Sequence, residues 1–338
     1  MKDLGKLLST DEGRSDLSEE LNMIGFDIGG TKCAVCIGEE TDGELHVLNK
    51  KSIPTDTSVS PYEMIDRMCS LAQEMTDEID CIGISCGGPL NSREGIIMSP
   101  PNLPGWDEVH IVEYLETRYN AEVYLQNDAN ACAVAEWKYG AGKGCENMIF
   151  LTFGTGMGAG LILNGQLYVG SSDMAGEIGH VRMADFGPVG YGKAGSFEGF
   201  CSGGGIAQIG QMFAREKLQM GEKVSYCENM AALGHISAKS VAECANRGFD
   251  DALLVYRTCG EMLGRGLSIL IDVLNPERIV LGSVFQRSGH LLRDAMQEVI
   301  DKECLKQAGQ VCSVVSAKLE ENIGDYAALA VAAIGKKQ

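Results

Sequence analysis

Two glycine-rich turns and one acidic dipeptide are the residues of this chain whose types and spacing could do chemistry. The first turn reads Phe26-Asp27-Ile28-Gly29-Gly30-Thr31-Lys32, the second Phe153-Gly154-Thr155-Gly156-Met157-Gly158-Ala159-Gly160. Each follows a short apolar run and precedes another (residues 33–37 and 161–163), which predicts strand, turn, strand. Glycine leaves no Cβ in the way, so such a turn presents bare backbone N–H groups and a hydroxyl to an anion. One hairpin of this kind is common. Two in one chain, each opening its own α/β segment, imply a duplicated unit gripping one polyphosphate from both sides. At Gly30 and Gly156 the backbone is expected to approach phosphate, apart from the residues that meet the second substrate.

Between the turns lies Gln126-Asn127-Asp128-Ala129-Asn130, at the end of a predicted strand and the start of a predicted helix. Asn or Asp at such a junction caps the helix by accepting an orphan backbone N–H. Asp128 also suits a general base, taking the proton of a substrate hydroxyl as that oxygen attacks a γ-phosphorus in line. The two roles are compatible, with Asn127 capping and Asp128 facing a cleft. Three further pieces suit a polyol. Asn102, in the proline-stiffened Ser99-Pro100-Pro101-Asn102-Leu103-Pro104-Gly105-Trp106, offers donor and acceptor to vicinal hydroxyls. Gly176-Glu177-Ile178-Gly179-His180 sets Glu177 near His180 among small residues that allow close approach, and Glu198 adds a carboxylate. Singly, His180 reads equally as a structural histidine and Glu177 as a solvated turn residue; their coincidence with Asp128 and two phosphate turns favours a site.

These groups need elements to hold them. Residues 24–53 read as a three-stranded meander (24–27, 33–39, 45–53) turning at Asp42-Gly43. Residues 61–76 form an amphipathic helix, with Met64, Ile65, Met68, Leu71, Ala72 and Met75 near helical spacing. A buried-type strand at 81–85 runs into Gly87-Gly88-Pro89, and the prolines of 98–106 exclude helix or central strand there. Helix 109–119, strand 121–125 and helix 131–138 follow, and the order restarts at 148–153 with the second turn. This is an internal repeat of elements rather than of residues. The second half is more helical: 206–217, 252–274 (stopped by Asn275-Pro276), and 288–300 after a strand at 278–281. Ligands in α/β units collect at the carboxyl ends of strands, which makes Gly282-Ser283 a candidate adenosine shelf. The Ala-rich helix 326–334 is expected to pack back on the first domain.

The chain's 338 residues suffice for two domains, and 45% apolar with 22% charged residues is the composition of a soluble globular protein. A net charge of −19 argues against non-specific nucleic-acid binding and against anionic membranes, though not against a nucleotide held locally with Mg²⁺. No apolar stretch reaches the roughly 18 residues of a membrane span. Met1 to Leu21 is polar, lacks a secretory apolar region, and is expected to be a loosely ordered extension or short helix. Thirteen cysteines without a signal peptide imply the reducing cytosol and a cytoplasmic protein. Cys33 and Cys36 have CxxC spacing, but a strand points them to opposite faces, so packing is expected rather than a shared metal.

As a set and in this order, Asp27-Ile28-Gly29-Gly30-Thr31-Lys32, the Ser99–Trp106 segment, Asn127-Asp128-Ala129-Asn130, Phe153-Gly154-Thr155-Gly156-Met157-Gly158 and Gly176-Glu177-Ile178-Gly179-His180 resemble the ROK family of repressors, uncharacterised reading frames and sugar kinases. The resemblance runs from Met23 to the end. It implies an α/β fold of two actin-like (sugar kinase/Hsp70/actin ATPase, ribonuclease H-like) domains flanking a cleft. The expected division is an extension over 1–22, one domain over 23–126 plus about 325–338, and the other over 127–324. The resemblance implies ATP- and Mg²⁺-dependent phosphorylation of a hexose, glucose at O6 first and N-acetylmannosamine as runner-up. Asp128 is then the base, Asn102, Asn127, Glu177, His180 and Glu198 line the sugar, and Asp27, Gly29, Gly30, Thr31, Lys32, Gly154, Thr155, Gly156 and Gly282 hold ATP. The long helices of the second half are compatible with a homodimer.

One departure accompanies the match. In the family, Glu-x-Gly-His is followed by CxCGxxGCxE, whose three cysteines join the histidine on a structural zinc. Here the segment is Gly187-Pro188-Val189-Gly190-Tyr191-Gly192-Lys193-Ala194-Gly195-Ser196-Phe197-Glu198, and counting back from Glu198 the cysteine positions hold Val189, Tyr191 and Ser196. None is a usual zinc ligand, and Cys201 alone does not rebuild a four-ligand site, so no structural zinc is expected. Another contact must then hold His180, with the Tyr191 hydroxyl and a backbone carbonyl of the 187–195 loop as candidates. The family's repressors carry a helix-turn-helix ahead of the core, for which Met1 to Asn22 is too short. The presence of Asp128 argues against a non-catalytic sensor.

Overall fold

The computed structural model describes residues 21–319 and 322–336, so the expected N-terminal extension lies, up to residue 20, outside the described residues. Leu21 and Asn22 already belong to the first strand, β1 (Leu21–Ile28). β2 (Lys32–Thr41) and β3 (Glu44–Pro54) complete an antiparallel meander. Its second turn places Asp42 and Gly43 at φ 54° and 76°, the positive values a two-residue hairpin loop requires. β4 (Cys81–Cys86) and β5 (Glu122–Asn127) then run parallel to β1, giving the order β3-β2-β1-β4-β5.

α1 (Pro61–Gln73) starts at a Ser60 cap and buries Met64, Ile65, Met68, Cys69 and Ala72, the stripe its periodicity predicts. α2 (Ile111–Tyr119) begins later than expected, because Val109 and His110 pair with Ile97 and Ile96 in a small ribbon. α3 (Asp128–Tyr139) follows β5 directly. The pattern then repeats. β6 (Met148–Phe153), β7 (Met157–Leu163) and β8 (Gln166–Tyr168) form a second meander, and β9 (Arg278–Leu281) and β10 (Ser313–Ser316) add parallel strands in the order β8-β7-β6-β9-β10. Strand for strand this matches the first sheet, so the repeat is one of topology.

The second half inserts α4 (Phe197–Phe200), α5 (Gly203–Gln219), α6 (Ala238–Asn246) and α7 (Asp250–Leu274) before β9. α8 (Val284–Glu303) and α9 (Lys306–Val311) lie between β9 and β10, and α10 (Ile323–Gly335) comes last. One apolar core lies with the first sheet around Phe26, Ile65, Ile84 and Trp106. A second gathers Phe153, Phe197, Tyr256, Leu263 and Phe285 from the second sheet and its helices. A third runs between the sheets, where α3 and α10 contribute Ala133 and Leu329 beside Met23, Phe150 and Val280. α10 approaches β1 and β4 so closely that a Cβ on Gly25 would lie 2.9 Å from the Ala328 Cβ, and one on Gly83 would collide with the Ala328 carbonyl. Alanine on the helix and glycine on the strands together permit that contact. Cys33 and Cys36 enter different cores, as strand alternation requires, and all thirteen cysteines are free thiols. Among the described residues no helix is long and apolar enough to cross a membrane.

Candidate active site

β1, β4 and β5 run parallel in register, Ile28 beside Cys86 and Cys86 beside Asn127, so their carboxyl ends deliver Asp27 and Asn127-Asp128 to one edge. Asn127 is the N-cap of α3: its Oδ1 accepts from Ala129 N at 3.0 Å, and Asp128 Oδ1 accepts from the same N–H at 2.8 Å. Asp128 is open to solvent on one side and walled by protein on the others. The lost hydration raises its pKa above the usual carboxylate range, while the N–H groups of Ala129 and Asp128 itself pull it back. Asp27 is half-buried, and its carboxyl is pushed up to about 6 by burial first, then by the fields of Asp325 and Asp128, against Lys50 and Lys32. Asp325 is itself paired with Lys50 at 2.6 Å.

The 176–180 segment lies against β7. Ala159 N donates to Gly176 O at 2.8 Å, Gly176 has φ 92°, and a Cβ on Gly176 or Gly179 would collide with the β7 carbonyls of Ala159 or Met157. A 3-10 turn, Ile178–His180, leaves both Glu177 and His180 exposed. Glu198 comes from α4, and its Oε2 accepts from Met157 N at 3.0 Å, on the second glycine turn. The Glu177 carboxyl is raised by partial burial first and then by Asp128 and Glu198, with His180 opposing. Asp128, Glu177, His180 and Glu198 therefore share one electrostatic site. Asn102 stands exposed in a turn anchored by buried Leu103 and Trp106, with Trp106 N donating to Leu103 O at 3.2 Å.

The glycine turns touch these groups directly. A Cβ on Gly30 would collide with the Asn102 carbonyl oxygen and lie 2.7 Å from the Asn102 Cβ. A Cβ on Gly156 would lie 2.8 Å from Glu198 Oε2. In the first turn Gly29 N donates to Lys32 O at 3.2 Å and Thr55 Oγ1 donates to Gly29 O at 2.5 Å, leaving Thr31 and Lys32 exposed. In the second, Gly154 N donates to Gly156 O at 3.1 Å, with Thr155 exposed at the tip. Gly282 N donates to Leu151 O at 3.0 Å, and the adjoining Ser283 sits 3.6 Å from where a Gly154 Cβ would be. Gly203 N donates to Gly154 O at 2.8 Å, bringing the start of α5 to the same place. Sequence reasoning does not single out this Ser202-Gly203-Gly204-Gly205 start. Its signal is a serine cap followed by glycines; with Gly203 N on Gly154 O and Gly205 N on Ser202 Oγ at 2.9 Å, the Gly204 N–H is the one turned to an anion. Ser283, at φ 51°, is a non-glycine residue held in the left-handed region.

The loop after His180 does not suit zinc. Val189 and Tyr191 are exposed and offer no thiolate, while Ser196 is buried as the cap of α4. Among the described residues no group of three or more His, Cys, Asp or Glu is placed to hold a metal ion.

A family model of the ROK family matches residues 23–334. The glucokinase of Streptomyces coelicolor is 31% identical over 278 residues, covering 81% of this chain and 86% of the relative. Among solved structures, a ROK hexokinase from Thermus thermophilus superimposes with TM-score 0.76 at 25% identity, covering 94% of this chain and 99% of the other. A ROK family glucokinase from Streptomyces griseus in complex with glucose and AMPPNP superimposes with TM-score 0.72 at 25% identity, covering 93% and 100%.

Proposed function

The chain belongs to the ROK family and has its two-domain actin-like fold, and from that premise we propose that it transfers the γ-phosphate of ATP to a hexose, glucose at O6. The observation that carries this reading is Asp128, a carboxylate of raised pKa at the carboxyl edge of three parallel strands, in the field shared by Glu177, Glu198 and His180. In the proposed step the sugar hydroxyl oxygen forms a bond to the γ-phosphorus. The bond from that phosphorus to the bridging oxygen breaks, and its electron pair leaves on ADP. The hydroxyl proton passes to the Asp128 carboxylate and later to solvent. A base of raised pKa holds that proton better than an ordinary aspartate.

Glu177 and Glu198 accept hydrogen bonds from sugar hydroxyls, Asn102 and Asn127 offer amides, and His180 can donate or accept. The two glycine turns, with Gly282 and the start of α5, receive the nucleotide. Mg²⁺ enters with ATP as part of the substrate and offsets charge on the phosphates. Asp27, crowded by two other carboxylates, has the chemistry to meet it. The relative solved with glucose and AMPPNP supports both halves of the reading.

The test is ADP release coupled to a panel of hexoses, run on the wild type and on Asp128→Asn. Glucose should give the highest kcat/KM. Asp128→Asn should still bind sugar by calorimetry while kcat falls by about 10²–10⁴, the loss expected for a general base. Near wild-type turnover in that variant overturns the assignment of Asp128, and ADP release independent of any hexose overturns the reaction.

A further inference from the structure

Residues 181–196 form a long return from the 3-10 turn of Glu177 and His180 to α4 with Glu198. The loop packs Met183 and Ala184 on the core at one end, but Phe186, Val189 and Tyr191, around its tip, are exposed and give that part no apolar anchor. The tip is held by hydrogen bonds: Arg182 Nη1 donates to Ala194 O at 2.9 Å within the loop, and two further side chains tie the loop to its surroundings. Gln208, on α5, reaches both peptide groups of Val189: its Oε1 accepts from Val189 N at 2.8 Å and its Nε2 donates to Val189 O at 2.9 Å. Lys193 Nζ donates to the His180 carbonyl at 2.7 Å. Between these anchors the loop closes on itself, Gly195 N to Pro188 O at 2.9 Å, Met183 N to Gly195 O at 2.8 Å and Phe197 N to Val181 O at 2.8 Å. The Tyr191 ring stands edge-on to the His180 ring at 6.4 Å.

We infer that Gln208 and Lys193 are positioning residues of the sugar site, a protein-only clasp holding the His180 loop where the residues present do not suit zinc. The clasp rests on the proposed sugar-binding role of Glu177, His180 and Glu198. Its chemistry is that of a side-chain amide standing in for a neighbouring strand: one donor and one acceptor matched to the N–H and C=O of one residue, presented from a separate helix. α5 begins against Gly154 of the second glycine turn and holds Val189 further along. Sugar loop and nucleotide turn are thus referred to the same helix. Lys193 fixes the backbone just where His180 leaves the 3-10 turn, which sets the direction of the imidazole in place of a metal–imidazole bond.

The test uses the full chain with Gln208→Ala, Lys193→Met and Lys193→Arg. Amide hydrogen exchange of the ligand-free protein should accelerate across residues 181–195 in Gln208→Ala and Lys193→Met and stay near wild type in Lys193→Arg. The KM for the sugar should rise about tenfold in the first two, the loss of roughly one or two hydrogen bonds, while the KM for ATP changes less than about twofold. Purified wild-type protein should hold far less than one zinc per chain. Stoichiometric zinc overturns the inference, as do unchanged exchange and unchanged sugar KM in a folded Gln208→Ala or Lys193→Met. Should Gln208→Ala fail to fold, Lys193→Met on the surface loop carries the test. The exchange measurement needs no substrate, so a protein that phosphorylates no hexose would sink the kinase reading while this result still stands or falls alone.

Discussion

A carboxyl whose pKa rises from 3.8 to about 6 on folding makes the folded state pay once it ionises, and Asp27 is in that position beside the first glycine turn. Its stabilising contribution is complete below the unfolded value of 3.8 and is lost as pH rises through about 6. Removing the titration with Asp27→Asn should therefore raise the melting temperature of the ligand-free protein near pH 8, by at most about 3 kcal/mol in stability. The gap should close below pH 4 or so, where wild-type Asp27 is protonated in both states. Thermal melts across this range decide it, and equal stability at high pH would show that Asp27 carries no such stress. The same variant should lose kinase turnover, because the crowded charge is what a cation-bound nucleotide relieves. The type and place of Asp27 are legible from the turn that follows it. Its field is not: Asp325 lies on the last helix and Lys50 on β3, and no local pattern connects them to Asp27.

Each glycine turn is built against a residue of the proposed sugar face, Gly30 against Asn102 and Gly156 against Glu198. The expected division of labour, in which these glycines serve phosphate apart from the residues that meet the sugar, is tested by substitutions that strain that packing. Gly30→Ala meets a backbone carbonyl that has no rotamer to swing away, so Asn102 must move with its turn. It should raise the KM for sugar and for ATP together, by about tenfold or more, the range of a poorly accommodated overpacking. Gly156→Ala meets the end of a flexible carboxylate, which can swing aside at the loss of its bond to Met157 N, and should cost less. Steady-state kinetics in both substrates tests this, and a Gly30→Ala effect confined to ATP would restore the simpler picture. At this scale most elements were readable. Residues 148–153 match β6, and the long helix from 252 matches the end of α7, because apolar runs and turn residues mark them locally. β10 was not readable, since Ser313-Val314-Val315-Ser316 is short and owes its strand to parallel pairing with β9. The start of α2 slips for the same reason, its first residues being recruited by Ile96 and Ile97.

The two sheets are joined through α3 and α10, and a buried carboxylate fastens that joint. Glu136, at 0% exposure, accepts from Ala141 N at 2.6 Å, Lys318 N at 2.9 Å and Leu319 N at 2.8 Å. It ties the end of α3 to the chain leaving the second sheet for α10. Ser92, after β4, makes a second link: its N–H and hydroxyl donate to Asp173 at 2.9 and 2.7 Å, on the segment leading to Glu177. We propose that the lobes 23–126 with about 325–338, and 127–324, rotate about the α3–α10 joint as ligands bind, since each lobe supplies one glycine turn and part of the sugar face. Closure of this kind keeps water from the phosphoryl group and limits wasteful hydrolysis. The Asp128→Asn variant is the suitable sample, because it should hold both substrates and consume them only slowly. Small-angle scattering should show a smaller radius of gyration with sugar than without, and a smaller one again when ATP and Mg²⁺ are added. A radius unchanged at saturating sugar and nucleotide, with binding verified by calorimetry, would mean that the cleft is already formed in the free protein and that the joint built around Glu136 serves rigidity rather than rotation.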